Sequence, residues 1–92
     1  MIVRISTEGQ YALGASDEQR LRDLDNQAVA VCEAEDEQQF QTTFAALLDF
    51  VRLHGRLVPD DQLEPSDLIL PPPDTSLQEA MAEFTGEGLI PG

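Results

Sequence analysis

Residues 36–55, DEQQFQTTFAALLDFVRLHG, decide the fold. At 3.6 residues per turn, Phe40, Thr43, Phe44, Leu47, Leu48, Phe50, Val51 and His54 line one broad stripe, with Gln38, Gln41, Thr42, Asp49 and Arg52 opposite. That spacing predicts an amphipathic helix over 37–54 whose apolar side must be covered. Asp36 is placed to accept a hydrogen bond from a first-turn amide, Gln39 stands at the capping-box position, and Gly55 is expected to end the helix in a left-handed conformation. Full burial of a large apolar side chain is worth roughly 1.5–3 kcal/mol, so this stripe of Phe, Leu and Val makes the largest single contribution to folding.

Upstream, Ser16 followed by Gln19 gives a second capping signal, and Asp17 and Glu18 suit the positive end of a starting helix. A helix over 17–34 follows, with Leu21, Leu24, Ala28 and Val31 inward and Arg22, Asn26 and Glu33 outward. The junction at Glu35-Asp36 leaves room only for an antiparallel return, giving a hairpin of two helices of matched length. Before it, Ile2, Val3 and Ile5 run into Thr7-Glu8-Gly9, and Gln10-Tyr11-Ala12-Leu13 resumes an apolar, aromatic character. This predicts a β-hairpin with strands over 2–6 and 10–13. Two strands are marginal alone, so they must lie on the helices or gain a further strand, and their edges are open to pairing.

Downstream, residues 56–75 are rich in proline, with Pro59, Pro65 and the run Pro71-Pro72-Pro73, which rules out a long helix there. A third strand at 67–70 pairing with the hairpin is expected, the competing arrangement being an arm that reaches onto a neighbouring subunit. In either case the three prolines form a semi-rigid spacer. Ser76 and Glu79 form a capping box that opens a short helix over 77–85, with Leu77, Ala80, Met81 and Phe84 inward, and so short a helix must dock to persist. Leu89 and Ile90 then stand as an apolar pair near Gly92. The expected fold is a single α+β domain over 1–92, mainly helical: a short N-terminal β-hairpin on an antiparallel two-helix hairpin, plus a short C-terminal helix.

Charge narrows the partners. Eighteen acidic residues face five Arg and no Lys, for a formal net charge of −13, and residues 57–92 carry eight carboxylates and no cation. Direct nucleic-acid binding is disfavoured, and an anionic membrane surface would repel the chain unless a partner mediates. No run approaches the ~18 apolar residues of a membrane span, and Met1-Ile2-Val3-Arg4 lacks a secretory layout, so a cytoplasmic location is expected. Cys32, the only cysteine, reads as a small buried hydrophobe.

The motifs of catalysis are missing. His54 is the only histidine, so no His cluster can hold a transition metal, and its place in the last helical turn suits capping or packing better than catalysis. Asp23-Leu24-Asp25-Asn26 resembles a calcium loop, yet position 28 is Ala where such a loop needs glycine. Paired carboxylates such as Asp60-Asp61 have no apolar pocket around them to raise a pKa. No cofactor is expected, and the chain reads as a binding protein rather than an enzyme.

Three ordered blocks resemble a known family. They are Met1-Ile2-Val3-Arg4-Ile5 with Glu8-Gly9-Gln10-Tyr11, then Leu53-His54-Gly55 through Pro59-Asp60-Asp61 to Pro65-Ser66-Asp67-Leu68-Ile69-Leu70-Pro71, and finally Gly86-Glu87-Gly88-Leu89-Ile90-Pro91-Gly92. Together they resemble the PspA-associated family, PspAA, along nearly the whole chain. The resemblance implies a non-enzymatic cytoplasmic adaptor that acts with PspA, the ESCRT-III-like coiled-coil protein of the phage-shock response to envelope stress, or with a stress regulator. Combined with the charge, it nominates Asp60, Asp61 and Asp67 as contacts to a basic partner, with Leu68, Ile69, Leu70, Leu89 and Ile90 as apolar anchors. The alternative is an acidic decoy that occupies the nucleic-acid-binding surface of a transcription regulator. Self-association, with a dimer favoured, is expected because the hairpin edge and the wide apolar stripe both call for cover.

Overall fold

The computed structural model describes residues 1–83. The β-branched start of the chain forms β1 (Ile2–Ile5), and a four-residue turn closed by the Glu8 N–H donating to the Ile5 carbonyl at 2.9 Å leads into β2 (Gly9–Ala12). Then come α1 (Ala15–Glu33), α2 (Glu37–His54), a two-residue strand β3 (Arg56–Leu57), a single 3-10 turn (Asp60–Gln62), β4 (Leu68–Leu70) and α3 (Leu77–Glu83). The strands form one mixed sheet in the order β3-β2-β1-β4. β1 is antiparallel to β2 and parallel to β4, and β3 is antiparallel to β2. The sequence expectation of an α+β fold with an N-terminal hairpin, two long helices and a short third helix is what the chain adopts.

Strand alternation puts Val3, Ile5, Leu68 and Leu70 on one face, where they join Leu21, Leu24, Ala28, Phe40, Phe44, Leu47, Leu48 and Val51 from the helices in one buried cluster. Phe40 and Phe44, one turn apart on α2, stack with ring centroids 5.3 Å apart. The predicted stripe is narrower than its full membership: Thr43 and Phe50 are half-buried and His54 is exposed. On α1 the buried side includes Asp25 and Cys32, and Val31 is only half-buried. On α3, Ala80 is buried, Leu77 packs against the core and Met81 is exposed, while Phe84 and the rest of the predicted helix lie outside the described residues.

The helix ends correct two sequence expectations. Gly14, not Ser16, caps α1, and Gln19 donates to Asp23 one turn on instead of turning back. Gly55 is extended, with φ −83° and ψ 153°, so it does not end α2 by a left-handed turn. Glu35 takes that conformation at the end of α1, with φ 55°, its N–H donating to the Cys32 carbonyl. Asp36 then caps α2, accepting from the Gln39 N–H at 3.1 Å, and Ser76 and Glu79 exchange both bonds of a capping box. The Ser76 backbone amide is the main reason the Glu79 carboxyl is held below its ordinary range. A left-handed glutamate pays a steric cost that glycine does not, so Glu35→Gly is expected to raise stability by about 1 kcal/mol and the Tm by roughly 4–8 °C in a thermal melt.

Both edges of the N-terminal hairpin are taken within the chain, β2 by β3 and β1 by β4. This settles the proline-rich segment: residues 67–70 fold back onto the same chain. The open hairpin edge and bare helical stripe therefore supply no argument for self-association. Because β3 and β4 sit on opposite edges, residues 58–67 must cross the sheet, and they do so on the face away from the helices.

Candidate partner-binding surface

On that outer face the register places Arg4 between Gln10 and Ile69. An exposed glutamine would be ordinary there, but Gln10 is 1% exposed because the crossover lies on it. Its amide satisfies the crossover in both directions. The Oε1 atom accepts from the Glu64 N–H at 3.1 Å, and Nε2 donates to the Glu64 carbonyl and to Ser66 Oγ. Two further ties fix the ends: the Val58 N–H donates to the Gln10 carbonyl at 2.9 Å, and Asp67 pairs with Ile2. There the Ile2 N–H donates to Asp67 Oδ2 at 2.7 Å, and the Asp67 N–H donates to the Ile2 carbonyl at 2.8 Å. A loop rich in proline and carboxylates thereby acquires a fixed path.

The nominated residues separate into three groups. Asp60 and Asp61 are exposed in the 3-10 turn, and Ile69 is 56% exposed on the outer face. Leu68 and Leu70 are 4% and 0% exposed, so they anchor β4 to the core and have no surface to offer a partner; strand alternation allows only Ile69 outward. Asp67 is exposed but spends one carboxylate oxygen on Ile2. Leu89 and Ile90 lie outside the described residues. Sequence reasoning missed Leu63, which is 53% exposed between Gln62 and Glu64 in the middle of the crossover. Its signal was a leucine standing alone in an acidic turn. The resulting surface has Leu63 and Ile69 as apolar points, and Asp60, Asp61, Glu64 and Asp67 as carboxylates, on a crossover with no cation between Leu57 and Leu70.

Several other charged side chains are paired within the chain. Arg52 of α2 reaches the β1–β2 turn, bonding Glu8 through Nε at 2.9 Å and Nη2 at 2.6 Å, and Asp49 through Nη1 at 3.0 Å. Arg52 holds the Glu8 carboxyl below its usual range, while burial and the adjacent Glu8 raise the Tyr11 hydroxyl that donates to it. His54 is exposed, its ring centroid 4.5 Å from that of Phe50 and its Nδ1 3.8 Å from Asp17. Burial pushes the Cys32 thiol up, away from the reactive thiolate. Asp23 and Asp25 lie inside α1, and among the described residues no group of His, Cys, Asp and Glu is gathered to hold a metal ion.

A model of one protein family, PspAA, described as PspA-Associated protein, matches residues 1–92. The chain belongs to the PspAA family. No curated protein and no solved structure matches it. The PspAA match spans the sheet, the helical hairpin and the crossover alike. Among the described residues of this PspAA domain, no helix is long and apolar enough to cross a membrane.

Proposed function

We propose that this protein is a non-enzymatic adaptor that binds a PspA-type coiled-coil protein, or a regulator acting with it, in the response to envelope stress. The observation that supports this reading is the Gln10-clamped crossover, which presents Leu63, Asp60, Asp61 and Glu64 with no cation of its own between Leu57 and Leu70, Arg4 of β1 lying between Gln10 and the exposed Ile69 on the same face. A helical partner bearing a stripe of Arg and Lys would find carboxylates for its charges and two apolar contacts between them. Carboxylates so exposed contribute mainly to encounter rate and specificity, and the apolar points to residence time. Membrane contact would then run through the partner, since the chain itself is strongly anionic.

The test is binding of purified PspA to the wild-type chain and to Asp60→Lys/Asp61→Lys. The double reversal is expected to weaken binding about 10-fold or more at low salt. Wild-type affinity should fall as ionic strength rises from about 0.05 to about 0.5 M. Affinity indifferent to both salt and charge reversal would rule this surface out as the contact. The carboxylates lie on the surface, so circular dichroism of the variant should match wild type.

A further inference from the structure

The crossover covers Gln10 and ends with Asp67 tied to Ile2, so the next row of the outer face, Arg4 beside Ile69, lies beyond its last tie. Arg4 is half-buried near the middle of the sheet, with β2 on one side and β4 on the other. Among the described residues its guanidinium takes part in no hydrogen bond and no ion pair. That is unexpected in a chain with eighteen acidic residues. The nearest acidic segments are held in place by other bonds: Asp67 accepts from the Ile2 N–H, and the Glu64 backbone is clamped by the Gln10 amide. Arg52, by contrast, bonds both Glu8 and Asp49. A partly desolvated cation that lacks a counterion gains from the arrival of one.

We propose that Arg4 is the receptor for a single carboxylate of the partner, with Ile69 beside it receiving an apolar side chain of the same partner segment. This rests on the reading of the crossover as the partner-binding surface, and it specifies what that partner must carry. A uniformly anionic ligand, such as nucleic acid or an anionic lipid surface, would press its charges against Asp60, Asp61 and Glu64 as well as against Arg4. A uniformly basic one would be repelled at Arg4. Mixed charge satisfies both: a helix whose Arg and Lys face the crossover and whose Asp or Glu, within one to two turns or ~5–11 Å, faces Arg4. A guanidinium grips a carboxylate through two parallel N–H bonds of fixed direction. Arg4 therefore sets the register in which the helix lies, while the crossover carboxylates speed its arrival.

The sign of one substitution decides the matter. Arg4→Gln makes an acidic surface more acidic, so a surface working by net charge alone would bind purified PspA more tightly. The expected result is the opposite: binding about 10-fold weaker at about 0.15 M salt in surface plasmon resonance, mostly through faster dissociation. Arg56, exposed on the same outer face at the β3 edge opposite Ala12, is the control, because Arg56→Gln removes the same charge. Its dissociation rate should stay within about 2-fold of wild type. Glutamine keeps part of the arginine stem against the sheet, so circular dichroism and Tm of Arg4→Gln should match wild type. Arg4→Lys, which keeps the charge but not the two-pronged grip, should fall between Arg4→Gln and wild type. The proposal is overturned if Arg4→Gln binds as tightly as wild type or more tightly, or if Arg4→Gln and Arg56→Gln weaken binding alike. Should Asp60→Lys/Asp61→Lys weaken binding while Arg4→Gln does not, the crossover surface stands and the carboxylate receptor alone falls. Should neither change the affinity, both fall.

Discussion

Gly55→Ala is expected to lower stability by about 2–3 kcal/mol and the Tm by roughly 10–20 °C, measured by chemical and thermal unfolding. The cause is proximity, not backbone angle, since the extended conformation of Gly55 is open to any residue. A Cβ built there would lie 2.5 Å from the Val51 carbonyl oxygen and 2.8 Å from the Tyr11 Cβ. Neither neighbour can rotate away: one is helix backbone, the other the root of a side chain in a central strand. The helix end would have to lift off β2, loosening the Arg52–Glu8 bond on the way. Gly14→Ala is the control, because a Cβ there meets nothing within 4 Å, and its effect should stay within about 0.5 kcal/mol. Equal losses at both glycines would refute the proximity argument.

Gln10→Ala is expected to cost about 2–3 kcal/mol and to free the crossover. The substitution removes the acceptor for the Glu64 N–H and the donor to the Glu64 carbonyl and Ser66 hydroxyl, in a position 1% exposed. Polar groups stripped of partners under cover cost roughly 1–3 kcal/mol each unless water reaches them, and water entry here means opening the loop. Hydrogen exchange at Glu64 should accelerate about 10-fold or more, with residues in α2 exchanging more slowly than Glu64. Binding to PspA should also weaken, because the carboxylates at 60, 61 and 64 lose their fixed spacing. A variant with wild-type stability and unchanged exchange at Glu64 would show that Gln10 is not the clamp.

Local pattern carried the reading of the helices: the three- and four-residue steps of Phe40, Phe44, Leu47, Leu48 and Val51 need no distant information. The same holds for the hairpin, whose two strands are separated only by a short turn. What the pattern could not carry was contact between segments far apart in sequence. Gly55 looked like an ordinary helix stop because its reason, Tyr11, lies 44 positions earlier. Gln10 read only as the first residue of a strand because its partners are more than fifty residues on. Arg56 and Leu57 gave no strand signal, being only two residues long as β3. For the site, Asp60 and Asp61 were legible as surface from composition. Leu68 and Leu70 were not separable from Ile69 until the parallel pairing with β1 fixed which side of β4 faces the core.

The placement of β1 at the middle of the sheet has a consequence for how the molecule is made. Ile2 waits for Asp67, 65 residues later, before its amide is satisfied, whereas the two helices can find each other through a turn of three residues. Contacts of that separation form late, so the helical hairpin should gather first and the last strand should close the sheet. Only then does the acidic crossover acquire a floor to lie on. A nascent or partly unfolded chain would thus have the charge of the finished protein without the proposed contact surface, and engagement of a partner there would report on completed folding.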